Sequence, residues 1–178
     1  MSGGELQRAG IARALASNPR VIFLDEPSSA LDMSIRGQII NLLLDLQSEQ
    51  GLAYVLVSHD MRVVAAMADY LLVMYLGHVV EQGPVDQVLH GPLHPYTKGL
   101  LNATLLGTEE RPAVRIRGEV LQLPAGYNGC RFYRRCPFAL DPCKEPQMLW
   151  DLTPGHAARC WRAEQIIELE ARERVPVA

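Results

Sequence analysis

The sequence predicts an α/β fold, with a mostly parallel sheet flanked by helices and followed by a loop-rich unit. Three observations carry that expectation. Two short, continuously apolar runs, Val21–Leu24 and Ala53–Val57, read as strands buried on both faces. Stretches with helical periodicity and capping residues flank each of them. Most of the twelve prolines and all four cysteines then crowd into the chain beyond residue 90.

Each element has its own signal. Ser2-Gly3-Gly4-Glu5 has the form of a capping box, with Ser2 as cap and Glu5 three residues on. It opens a helix carrying Leu6, Ala9, Ile11, Ala14 and Leu15, which Asn18-Pro19 stops. Asp32 or Ser34 starts a second helix that turns Ile35, Ile39, Leu42, Leu43 and Leu46 to the core, and Gly51 closes it. A third runs from Asp60 towards Ala68. Tyr70–Met74 and His78–Glu81 read as two strands joined at Leu76-Gly77. Helices are expected from Pro95 to Thr104 and from Glu164 to Glu173, with loops and short strands between them.

Composition excludes several classes. Seventeen basic and twenty acidic residues give a net charge of −3, so there is no basic field to hold nucleic acid. The longest apolar run, Tyr70–Leu76, is far too short for a bilayer span. Residues 1–20 carry Glu5, Arg8 and Arg13, unlike a signal peptide, and a cytoplasmic setting is expected. Only Lys98 and Lys144 are lysines, and neither follows a glycine-rich loop. The phosphate-cradling pattern G-x-x-x-x-G-K-[ST] does not occur in these 178 residues.

Chemistry gathers at the ends of the two apolar runs, where parallel sheets bind ligands. The first runs into Asp25-Glu26-Pro27 and the second into Ser58-His59-Asp60. Asp25 suits a Mg²⁺ ion, Glu26 could orient or deprotonate a water, and His59 adds an imidazole to the same rim. Read singly, the carboxylates are also ordinary helix caps and the histidine an ordinary loop residue.

Together these segments resemble the ATP-binding cassette (ABC) transporter ATPases. Ser2-Gly-Gly-Glu5 with Gln7-Arg8 and Ala12-Arg13-Ala-Leu15 is similar to their signature motif, with Met1 where leucine is usual. Val21-Ile-Phe-Leu-Asp25-Glu26-Pro27 resembles the Walker B strand, Ser29-Ala-Leu-Asp32 the D-loop, and Val57-Ser-His59-Asp60 the switch histidine, in the family's order. The resemblance implies ATP and Mg²⁺ as cofactors. Asp25 would support Mg²⁺, Glu26 would act on the attacking water, and His59 would contact the γ-phosphate. Ser2, Gly3, Gly4 and Glu5 would form a helix N-terminus closing over ATP held by a second ATPase subunit, with Asp32 at that interface. Transmembrane permease subunits would be further partners, placing the chain on the inner face of the cell membrane. In the family the P-loop, the adenine-stacking aromatic and the Q-loop precede the signature motif. A C-terminal portion of a cassette, inactive by itself, is therefore expected.

The tail narrows the resemblance. Residues 83–104, with His94-Pro95-Tyr96-Thr97 and Leu100-Leu101, are similar to the segment after the cassette in the dipeptide, oligopeptide and nickel uptake branch. Gly129-Cys130 through Cys160-Trp161 resembles that branch's cysteine-bearing extension. Residues 1–90 would then be cassette and residues 91–178 extension. Cys130, Cys136, Cys143 and Cys160 are spaced C-x₅-C-x₆-C-x₁₆-C. Four thiolates suit zinc or an iron–sulfur cluster, and the lack of C-x₂-C pairs favours the latter. Arg131, Arg134, Arg135 and Arg159 would favour thiolates. Free cysteines packing a small unit are the alternative; His156 could replace one of the ligands, but it reads first as solvent-facing. Peptide import energised by ATP is the expected function. The alternative is a non-catalytic metal- or iron–sulfur-binding regulatory module that complements a partner ATPase.

Overall fold

Ser2 caps the first helix, α1 (Gly3–Leu15), and both hydrogen bonds of the capping box form. The structure, a computed structural model, describes residues 2–104, 114, 116, 118–120 and 122–173. Part of the long connection expected after Thr104 lies outside the described residues. The chain divides into two compact units, residues 1–68 and 69–178.

In the first unit, β1 (Val21–Asp25) and β2 (Ala53–Val57) pair in parallel, from Val21 opposite Ala53 to Asp25 opposite Val57. Between them runs α2 (Met33–Gln50), capped by Asp32 and closed by Gly51 in the left-handed conformation, φ 64°. α3 (Met61–Met67) follows β2 and is capped by Asp60. Ile11 of α1, Ile22 and Leu24 of β1, Ile39 and Leu43 of α2, and Val63 and Met67 of α3 form one core.

That core lies on a single side of the strands, which corrects the expectation of strands buried on both faces. Ile22 and Leu24 are buried, while Phe23 is 77% exposed and Val21, Val55 and Val57 are also exposed. An unbroken apolar run is compatible with either arrangement, so pattern alone does not decide it.

In the second unit, β3 (Tyr70–Tyr75) and β4 (His78–Pro84) form an antiparallel hairpin. Both turn residues have positive φ, 47° at Leu76 and 81° at Gly77, as a tight hairpin turn requires. A short helix that the sequence did not announce, α4 (Val85–His90), precedes α5 (Pro95–Ala103). Two single 3₁₀ turns, at Tyr133–Arg135 and Asp141–Lys144, lead to β5 (Trp150–Thr153), β6 (His156–Ala158) and α6 (Ala163–Glu173). The sheet order is β3-β4-β6-β5, all antiparallel.

The compact units divide at 68/69, while the composition changes after residue 90. The two differ because β6 pairs with β4 and Arg159 N–H donates to the Val80 carbonyl at 2.8 Å. The cysteine-bearing tail thereby extends the hairpin's own sheet. An aromatic cluster reinforces it: the Tyr75 ring lies 4.7 Å from that of Tyr96 and 5.3 Å from that of Phe132. Among the described residues, no helix is long and apolar enough to cross a membrane.

Candidate functional site

The parallel pairing of β1 and β2 brings their carboxyl ends side by side, and with them Glu26 and His59. Glu26 N–H donates to the Val57 carbonyl at 2.9 Å, one step beyond the last ladder pair. The chain turns there through a positive φ of 47° at Glu26, a strained conformation for a residue with a side chain. The Glu26 carboxylate folds onto the neighbouring turn. Its Oε1 accepts from the His59 backbone N–H at 3.1 Å and lies 2.7 Å from His59 Nδ1. The His59 ring is otherwise well exposed. With Nδ1 committed to Glu26, its Nε2 edge is available to a ligand.

The other expected residues of this unit are placed singly. Asp25, the last residue of β1, is exposed on the rim. Asp32 is committed to capping: Oδ1 accepts from Ile35 N–H at 3.0 Å and from Ser34 Oγ at 2.9 Å. The bond from the Ile35 backbone, with that from Ser34, holds the Asp32 carboxyl below the usual range. At the start of α1, the Glu5 carboxylate accepts from Ser2 N–H at 2.7 Å and is likewise used in capping. Gly3 and Gly4 are the first helical residues, whose N–H groups lack intrahelical partners.

Those two glycines also have a packing role that sequence reasoning missed. A Cβ on Gly4 would lie 2.8 Å from Ile35 Cγ2, and one on Gly3 would lie 3.2 Å from Leu31 Cδ2. The α1 terminus therefore rests directly on the loop and first turn that carry Asp32.

The second unit gives a different result. Among the described residues, no three His, Cys, Asp or Glu side chains form a group able to hold a metal ion. The zinc or iron–sulfur site expected at Cys130, Cys136, Cys143 and Cys160 is therefore not supported. Burial, with a smaller push from neighbouring thiols, raises Cys130 and Cys136 to about 12 and Cys160 to about 11. Desolvation is the largest cause at each of the three, and these groups stay protonated at neutral pH. All four cysteines are free of disulfides, and Trp161 Nε1 donates to Cys143 Sγ at 3.3 Å.

The same unit holds a buried polar centre that the sequence hid. Glu81 of β4 is fully buried and accepts from Leu93 N–H and His94 N–H, both at 2.8 Å. Its Oε1 also lies 2.8 Å from His156 Nε2. His156 is thus 2% exposed, a correction to its solvent-facing reading.

Comparison with known proteins bears on both units. The ABC transporter family profile matches residues 1–29, and the profile of the oligopeptide/dipeptide transporter C-terminal region matches residues 80–143. The chain is 49% identical over 168 residues to a probable D,D-dipeptide transport ATP-binding protein of Escherichia coli, covering 91% of this chain and 53% of that protein. It is 43% identical to a di/tripeptide transport ATP-binding protein of Pseudomonas aeruginosa, covering 93% and 52%. Over more than 90% of its length the chain is thus similar to ABC transporter ATP-binding proteins of the dipeptide/oligopeptide branch. It spans about half the length of the curated relatives it matches. A third ABC relative, an oligopeptide transport ATP-binding protein of Salmonella typhimurium, is 44% identical over 93% of this chain and 51% of its own. A solved nucleotide-free ATP-binding cassette overlaps 52% of this chain and 38% of its own at 29% identity, with a TM-score of 0.47.

Proposed function

We propose that this chain supplies the hydrolytic rim and the trans-acting helix terminus of an ATPase subunit that energises peptide import. The observation that carries the reading is the 2.7 Å contact of Glu26 with His59 at the adjoining ends of two parallel strands. In this reading residues 1–90 are the cassette portion and residues 91–178 the branch-specific extension. That similarity and the dipeptide and oligopeptide transport names of the relatives support the substrate class.

Glu26 orients the attacking water and draws its proton as the oxygen approaches the γ-phosphorus; ADP departs in line and phosphate forms. His59, held through Nδ1, presents Nε2 to the γ-phosphate. Asp25, an exposed carboxylate at the end of β1, would help to hold a Mg²⁺ ion. That ion would neutralise the charge on the β- and γ-phosphates. The phosphate loop that holds the nucleotide comes from outside these 178 residues, which contain no such pattern. Ser2, Gly3 and Gly4 close on ATP bound to a second ATPase subunit, Asp32 lies at that contact, and permease subunits fix the assembly to the inner face of the cell membrane.

The test is Glu26→Gln in the assembled transporter. Single-turnover ATP hydrolysis falls by at least about 100-fold, the scale of a lost general base, while ATP binding measured by equilibrium dialysis is retained. Unchanged turnover would remove Glu26 from the catalytic role.

A further inference from the structure

Arg36 sits one turn into α2 and reaches two loops at once. Its Nη1 donates to Asp60 Oδ2 at 2.8 Å, and its Nη2 donates to the Leu31 carbonyl at 3.3 Å. Leu31 immediately precedes Asp32, and Asp60 immediately follows His59. The third nitrogen, Nε, is buried without a hydrogen-bond partner among the described residues. The guanidinium is thus aimed by these two contacts and not by solvent, since only 26% of the side chain is exposed.

Arg62 also binds Asp60, through its backbone N–H at 3.0 Å and Nε at 3.3 Å. It does so from within the same turn, so it shapes that turn without relating it to α2. Arg36 spans 24 residues and does relate them. The side-chain bond from Arg62, with lesser contributions from both arginine charges, holds the Asp60 carboxyl below its usual range, so the pair persists at neutral pH. Beside Arg36, Ile35 packs on the backbone of Gly4.

We propose that Arg36 is a positioning residue: it joins the Leu31–Asp32 loop to the Ser58–Asp60 turn, so that contact at Asp32 reaches His59 and its bond with Glu26. The inference rests on the hydrolytic reading above for its consequence in turnover, but not for the coupling itself. Asp32 is exposed and would meet a second subunit, whereas His59 would meet phosphate. A fork with one arm on each segment keeps the two in register, which a lysine point charge cannot reproduce fully.

Two measurements test it. In the 178-residue chain, Arg36→Gln accelerates hydrogen exchange of the His59 amide by about tenfold or more relative to the core amides of Ile22 and Leu24. Arg36→Lys, which keeps the Asp60 contact alone, gives an intermediate rate. A His59 amide that exchanges at the wild-type rate in both variants overturns the coupling. In the assembled transporter, Arg36→Gln lowers kcat for ATP by about tenfold with KM within about twofold, and Arg36→Lys restores part of it. Equal losses in kcat and core-amide protection would mean a general structural role and overturn the proposal. A wild-type assembly without ATP turnover would sink the hydrolytic reading instead, and the His59 amide would still decide Arg36.

Discussion

Glu81 and His156 meet 2.8 Å apart at the centre of the second unit, although 75 residues separate them in sequence. Neither is more than 2% exposed. Glu81 also gathers the backbone N–H groups of Leu93 and His94 at the entrance to α5. One carboxylate thereby fastens β4, the His94-Pro95 corner and β6 together.

Removing that carboxylate leaves three buried polar groups without their acceptor. Glu81→Ala destabilises the second unit by about 3–5 kcal/mol, the scale of breaking one side of a buried pair. Urea unfolding followed by tryptophan fluorescence checks it, because both tryptophans, Trp150 and Trp161, lie in this unit. A loss under about 1 kcal/mol would show that water replaces the carboxylate without penalty.

His94 makes the same unit sensitive to acid. Burial drives its ring down from 6.5 to about 4, and the Glu81 charge only partly opposes this. The folded state therefore takes up the proton less readily than the unfolded chain. The stability is full above pH 6.5 and is lost as pH falls from there towards 4, amounting to about 3 kcal/mol. Urea midpoints at pH 7 and pH 4.5 measure it, and His94→Gln flattens that part of the profile.

The cysteines impose the opposite limit. Thiols raised from 9.0 to about 12 are neutral when folded, so the stability they confer is present below pH 9 and fades as pH climbs towards 12. At pH 8 the folded, reduced Cys130 and Cys136 carry about 1,000-fold less thiolate than in the unfolded chain. Reaction with a chromogenic disulfide is correspondingly slow in buffer and fast in denaturant. Equal rates in both would show that the thiols are not shielded.

Two glycines of α1 respond oppositely to alanine. At Gly10 an added Cβ meets nothing within 4 Å, so Gly10→Ala stabilises by about 0.5–1 kcal/mol. At Gly4 the Cβ lies 2.8 Å from a β-branched side chain that has little freedom to turn. Overpacking there costs about 1–3 kcal/mol and exceeds the gain in helix propensity. Thermal melts of the two variants separate in sign.

What the sequence determined by itself is local. Caps at Ser2, Asp32 and Asp60, the stop at Gly51 and the turn at Leu76-Gly77 are set by short-range hydrogen bonds and by φ, so they read directly from residue type. The motif order from Ser2 to His59 was equally legible, because each motif occupies the end of an element whose bounds are local. Tertiary structure decided what depends on distant partners. Only the parallel register brings Glu26 to His59, and only the β4–β6 pairing buries Glu81 against His156. Periodicity does not distinguish a strand covered on one face from one covered on both, and so it missed the exposure of Phe23. Nor does cysteine spacing foretell desolvation, which holds the thiols of Cys130, Cys136 and Cys160 neutral. A side chain's neighbours through space set its charge and packing, and those neighbours are fixed only when the chain has folded.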